Sequence, residues 1–251
     1  MTRAFLTGAG LSALLLAPSV AASQTVDEII TKHLAARGGM EKIKAIQTLK
    51  ITRTVATGLG TPVKVIIYRK RPHLYRAEQG PAVPGGTLVP RAVNANDAWE
   101  TVQGKIVKRP EAAEAQTRDL DADFDGLLVD WKEKGHTVAF EGREPMPAGD
   151  ALKLRVKTRS GAERVIYLDA ATFLERRHTG VLTLPNGRKF DVAIDFSNWR
   201  EVNGVKFPFD IIEERTGDAP VQSFVTYTES IEANVPIDDA LFATPAGAGG
   251  G

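Results

Sequence analysis

Phe190-Asp191-Val192-Ala193-Ile194-Asp195-Phe196-Ser197, followed six residues later by Asn203-Gly204, decides the fold. Phe190, Val192, Ile194 and Phe196 occupy every second position, and Asp191, Ala193, Asp195 and Ser197 occupy the others. A period of two sends the sets to opposite sides of an extended chain, so this is a half-exposed antiparallel strand. Asn-Gly accepts the positive φ angles of a tight turn, so Asn203-Gly204 folds the chain back into the next strand. Asn186-Gly187 marks another such turn and Ser160-Gly161 a weaker one. Leu152, Leu154 and Val156 alternate in the same way with Lys153, Arg155 and Lys157. About seven strands in meander order are expected between His136 and Val235.

The pattern extends to the first half of the chain. Leu49, Ile51, Arg53 and Val55 alternate with Lys50, Thr52 and Thr54, and Val63, Val65 and Ile67 with Lys64, Ile66 and Tyr68. Upstream, residues 25–37 open with a capping threonine and early acids, and Val26, Ile29, Ile30, His33 and Leu34 share one helical face. Gly38-Gly39 stops this helix, and a short second one follows from Met40 to Ile46. Between the sheet halves, Glu111–Gln116 is rich in Ala and Glu, and Asp119–Lys134 is acidic, then apolar at Phe124, Leu127, Leu128 and Trp131. Both read as helices or helical turns packed on the sheet. Gly80–Gly86 reads as a mobile loop, and Ala246–Gly251 as a disordered tail. The expected fold class is α+β: a large curved antiparallel sheet of about ten strands, an N-terminal helix and a helical lid insertion. A sheet that long must curl or close, and with few helices to cover it, part of its apolar face is expected to enclose a cavity.

Residues 1–22 read as an address. Thr2-Arg3 precedes an apolar stretch from Ala4 to Ala17, and Val20 and Ala22 satisfy the small-residue rule for cleavage after Ala22. The stretch is shorter than the ~20 residues that span a bilayer. Export of residues 23–251 to a periplasm follows, with residues 23–245 as one domain. The whole chain has 251 residues, with 32 basic and 31 acidic side chains. Arg3 is the one charge in the leader, so the remainder is balanced at 31 of each, which argues against a nucleic-acid partner. With no cysteine, disulfides, thiolate metal sites and thiol nucleophiles are excluded.

Catalytic signatures are missing from the sequence. His33, His73, His136 and His178 stand alone, without metal-ligand spacing, and no Gly-x-Ser-x-Gly, phosphate loop or dinucleotide fingerprint occurs. The chain is expected to be neither an enzyme nor a cofactor protein. Asp121, Asp123, Asp125 and Gly126 match the first half of a calcium loop, but Lys132 stands where the bidentate Glu belongs. The other reading of these acids is a helix start, where carboxylates favour the positive dipole end, and no metal ligand is assigned.

Candidate binding residues follow from the alternation and the aromatics. Ile51, Val65 and Ile67 supply an apolar strand face. Arg53 falls on that face too; either the strand bends and the arginine reaches solvent, or it is a polar anchor within a cavity. Tyr68, Tyr75 and Trp99 on the early strands, with Phe124, Leu127, Leu128 and Trp131 in the insertion, have the distribution that a ligand pocket beneath a lid needs.

Tyr68-Arg69-Lys70-Arg71-Pro72-His73-Leu74-Tyr75-Arg76 resembles the periplasmic lipoprotein-carrier (LolA/LolB-like) family, in which a strand leads into Lys-Arg-Pro and then an aromatic strand. Asn96-Asp97-Ala98-Trp99 and the ending Ile237–Pro245 are similar to the family's polar turn and Phe-x-x-Pro close. Asp121 through Lys132, with Gly135-His136, and the break at Gly38-Gly39-Met40-Glu41 resemble the outer-membrane lipoprotein-sorting subgroup. The resemblance implies an unclosed barrel with a helical lid over a hydrophobic cavity. It also implies carriage of lipoprotein acyl chains or other lipids without a cofactor, with Arg71 at the position that ties lid to barrel. A monomer is expected. The alternative is a lipid-sensing regulatory module on the same fold, with an inner- or outer-membrane protein as partner.

Overall fold

The computed structural model describes residues 24–58, 60–109, 114–115, 117–184, 186–217 and 220–245. The expected leader (1–22), the tail (246–251) and most of the helix expected at 111–116 lie outside the described residues. Two helices come first, α1 (Val26–Arg37) and α2 (Met40–Ala45). Thr25 caps α1 reciprocally: its hydroxyl accepts from the Glu28 amide, and its own amide donates to the Glu28 carboxylate. Gly38 ends the helix at φ +128°, and a Cβ there would meet the Gly204 carbonyl at 2.1 Å. The helical corner therefore sits directly on the Asn203-Gly204 turn, a contact only glycine permits.

Thirteen strands follow: β1 (Thr48–Ala56), β2 (Val63–Lys70), β3 (Leu74–Pro81), β4 (Val89–Val93), β5 (Ala98–Val102), β6 (Lys105–Lys108), β7 (Thr137–Glu144), β8 (Ala151–Lys157), β9 (Glu163–Asp169), β10 (Glu175–Thr183), β11 (Lys189–Val202), β12 (Val205–Thr216) and β13 (Gln222–Ala233). They form one curved antiparallel sheet in the order β6-β5-β4-β3-β2-β1-β13-β12-β11-β10-β9-β8-β7, which does not close. The seven strands expected between His136 and Val235 are present, with turns at the Asn-Gly and Ser-Gly sites. The total of about ten is corrected to thirteen among the described residues. The uncounted strands are short and interrupted, as in β4, which contains Pro90 and Arg91 and lacks a clean alternation. The loop expected at 80–86 starts later than its composition suggests, because β3 runs through Gly80 and Pro81.

Of the two forms expected for 119–134, helices or helical turns, the described residues show turns: a π-turn, Thr117–Asp121, and consecutive turns from 127 to 135. Phe124, Leu127, Leu128 and Trp131 have i, i+3, i+4, i+7 spacing, which reads as a helix. Gly126 at φ +93° and Asp130 at φ +49° break the helical backbone, while the apolar side chains still reach the sheet.

The core lies on the concave side in two clusters. In one, Ile43 and Ile46 pack with Leu49, Ile51, Ile67 and Phe124; in the other, Ile29 and Ile30 of α1 pack with Leu127, Leu128, Leu152 and Ile166. Buried polar groups join α1 to the sheet: the His33 Nδ1–H donates to the Phe173 carbonyl (2.9 Å), and Nε2 lies 3.9 Å from the Glu175 carboxylate. Glu175 in turn lies 3.5 Å from His178 Nε2. Burial holds His33 below its ordinary pKa, and His136 is lowered for the same reason.

The pH dependence follows from those directions. The unfolded chain protonates these histidines near pH 6.5 while the folded chain resists, so their stabilising contribution is complete above that pH and declines below it. The melting temperature is therefore expected to fall between pH 7.5 and 5.5 in a thermal scan, with a shallower dependence in His33→Gln. An unchanged slope in that variant would show that His33 titrates alike in both states.

Candidate functional site

Strands β6 and β7 are consecutive in the chain but lie at opposite edges of the sheet. The connection between them must cross the molecule, and residues 122–131 do so over the concave face. Ala122, Phe124 and Val129 join the cluster on β1–β3, and Leu127 and Leu128 join the one on β8 and β9. With this segment in place the concave face is packed. Beneath it a cavity of about 10 Å3, lined by Ile43, Ile46, Leu49, Phe124, Val205 and Phe207 among others, has space for about one water.

Charged clasps hold the segment. Arg71, at the end of β2, donates from Nη1 and Nη2 to both oxygens of Asp125 (2.7 and 2.6 Å). It also donates to the carbonyls of Ile46 (2.7 Å) and Ile43 (2.9 Å). Its guanidinium stacks 4.5 Å from the Phe124 ring. This is a planar fork engaged on every side, a role that lysine could not fill. Lys44 also reaches Asp125 (3.3 Å) and bonds to Asp130. Arg37 donates to the Asp125 carbonyl (3.0 Å). Burial pushes the Asp125 carboxyl up, but Arg71 and Lys44 outweigh it and hold the group below the usual carboxylate range. Lys134 pairs with Asp123 at 2.6 Å and donates to the Gly126 carbonyl. The acids read as half a calcium loop or a helix start are thus partly spoken for: Asp123 and Asp125 face cations of this chain, in turns rather than at a helix N-terminus.

Ladder register places the other sequence-selected residues. Ile51, Ile67 and Ala77 stand opposite one another, as do Arg53 and Val65, and Arg69 and Tyr75; all share the concave face. Tyr68 pairs with Lys50 and Arg76, and Trp99 with Ala92, on the convex face. There Arg76 lies 5.8 Å from the Trp99 ring and donates to the Leu241 carbonyl of the C-terminal turn Asp239–Phe242. Tyr68 and Trp99 therefore sit away from the crossing segment, and Trp99 is core beneath the C-terminal end. Trp131 is partly buried against the β8–β9 cluster. Sequence reasoning missed Arg37, Lys44 and Lys134 as clasp residues, and Arg69 and Arg91 on the concave face. For Arg69 the signal was available, because the alternation Val63, Val65, Ile67 continues to it.

The fold is shared with solved structures of low sequence identity. The chain is similar to a LolA superfamily protein from Nitrosomonas europaea, with 13% identity and a TM-score of 0.60 over 88% of this chain and 99% of that one. It is similar to an outer membrane lipoprotein-sorting protein domain from Vibrio parahaemolyticus, with 10% identity and a TM-score of 0.56 over 86% and 94%. A DUF1329 family protein from Desulfovibrio piger aligns with 12% identity and a TM-score of 0.53 over 88% and 98%. No family model matches the sequence, and no curated protein matches it.

Removing Arg71 leaves the Asp125 carboxylate with Lys44 in place of the bidentate fork, a loss of about 2 kcal/mol, or roughly thirtyfold in the opening equilibrium. In Arg71→Leu, amide hydrogen exchange over residues 122–131 is expected to accelerate by that factor while β8 and β9 stay protected. Equal acceleration everywhere would mean that Arg71 supports the whole fold rather than the segment.

Proposed function

We propose that this protein binds and carries lipid acyl chains, those of lipoproteins or of another lipid, through the periplasm, and that the chains replace the crossing segment on the concave face. The observation that carries the reading is that segment: apolar side chains fill the curved sheet, yet turns and ion pairs hold them rather than regular secondary structure. The likeness in fold to LolA superfamily and lipoprotein-sorting structures supports it. The leader-like residues 1–22 support the location.

The energies make the exchange workable. Phe124, Leu127, Leu128 and Val129 are worth about 2 kcal/mol each when buried, or about 8 kcal/mol together. A sixteen-carbon chain gains about 12 kcal/mol at ~0.8 kcal/mol per methylene. The two occupants are close enough in energy for binding to be reversible, as delivery to an acceptor requires. Covalent chemistry has no part in this cycle: apolar contact supplies affinity, and the ion-pair clasps decide when the face is open.

The neutral fluorophore N-phenyl-1-naphthylamine provides the test. Saturable uptake, reversed by palmitate, is expected for the protein purified from a periplasm. Asp125→Asn, which weakens the clasp, is expected to tighten uptake several-fold. Absence of saturable uptake in both proteins would refute the acyl-chain reading.

A further inference from the structure

The concave face carries more positive charge than a purely apolar container needs. Arg53 on β1, Arg69 on β2 and Arg91 on β4 all point inward by register: Arg53 opposite Val65, Arg69 opposite Leu49 and Tyr75, and Arg91 opposite Ala77. Tyr75 lies between two of them, with the Arg69 and Arg91 guanidiniums each 5.7 Å from its ring and Arg91 donating to its hydroxyl at 3.1 Å. The Nε–H groups of all three arginines are buried without a hydrogen-bond partner among the described residues. Arg53 makes no hydrogen bond or ion pair to any described residue, and burial beside Arg69 pulls its pKa down to about 10. An uncompensated arginine of this kind costs stability, and such costs commonly mark binding sites.

Two acids lie near this group: Asp121, the residue that leads into the crossing segment, and Glu100 on β5, opposite Arg91 in the ladder. Asp121 acts on Arg91, and the Asp123 carbonyl accepts from Arg69 at 3.3 Å. Glu100 on β5 also acts on Arg91, but its ion-pair contact is with Arg109, at 4.0 Å. Lifting the segment together with Asp121, which leads into it, therefore removes that acid and the Asp123 carbonyl and leaves the three arginines on the sheet with Glu100. The segment carries apolar side chains for the sheet and an acid for the arginines, which is the chemistry of an anionic amphiphile. We propose that Arg53, Arg69 and Arg91, gathered around Tyr75, receive the anionic group of the cargo, a phosphate or carboxylate, while its acyl chain takes the apolar positions of the segment. The proposal rests on the acyl-chain reading above and adds the charge of the head.

Dodecyl phosphate, dodecanoate, dodecanol and inorganic phosphate separate the two ideas when titrated by calorimetry and by displacement of N-phenyl-1-naphthylamine. The two anionic amphiphiles are expected to bind about tenfold tighter than dodecanol, and this ratio is expected to fall to about one in Arg53→Met and in Arg91→Met. Arg53→Met is also expected to melt no lower than the parent, because the partly exposed Arg53 makes no hydrogen bond or ion pair to any described residue, so a preference lost at an unlowered melting temperature is not a folding defect. Equal binding of charged and neutral amphiphiles overturns the anion site and leaves the carrier intact. Binding of inorganic phosphate alone, abolished by Arg53→Met, retains the oxyanion site but assigns it to a free anion and removes the acyl-chain reading. Binding of none of the four overturns both.

Discussion

The structure depends on one topological constraint: the two free edges of a thirteen-stranded sheet are consecutive in the chain. A sheet of this length curves, and its concave side must be covered by something apolar. The helices α1 and α2 cover only part of it. The β6–β7 connection has to travel from one rim to the other, and the shortest route lies over the uncovered part. The contacts of Ala122, Phe124 and Val129 on one half and of Leu127 and Leu128 on the other follow from that path.

The same path explains how the crossing segment is held. A chain whose backbone makes few regular hydrogen bonds needs side chains to fix it, and the fixing is electrostatic. Asp123 and Asp125 are supplied by the segment, and Arg71, Lys44 and Lys134 surround them. Such contacts are directional and fail together when the segment moves, whereas the apolar contacts beneath can be remade with any hydrocarbon. In the proposed carrier cycle, specific ties over unspecific packing let the segment open without unfolding the strands below.

Much of the sheet was legible in the sequence because the period of two is a direct imprint of a surface that is wet on one side and dry on the other. From β7 to β13 every strand has seven or more residues, β8 and the first half of β11 alternate cleanly, and Ser160-Gly161, Asn186-Gly187 and Asn203-Gly204 mark three of the turns. The β4–β6 edge was not legible, since strands of four or five residues with Pro90 or terminal lysines show too few repeats of any period. In the crossing segment the spacing of apolar residues was readable but the backbone was not. Gly126 and Asp130 take positive φ angles that spacing alone cannot reveal. The position of Arg71 was legible through its Lys-Arg-Pro context, but its partner Asp125 was not, because the pairing spans 54 residues. Tyr68 and Trp99 illustrate the opposite failure. Aromatic type attracted attention, although parity already placed Tyr68 on the face away from Ile67.

The two rims of the open sheet carry a further consequence. Strand β6 is only four residues long and has Lys105 and Lys108 at its ends. Strand β7 has a register break between Phe140 and Gly142, with Glu141 and Glu144 joined to cations on β8. Unpaired backbone along a long, flat rim would invite a strand from a second molecule; a short charged rim and a bulged one discourage it. The sheet can therefore stay unclosed without becoming a template for its own polymerisation.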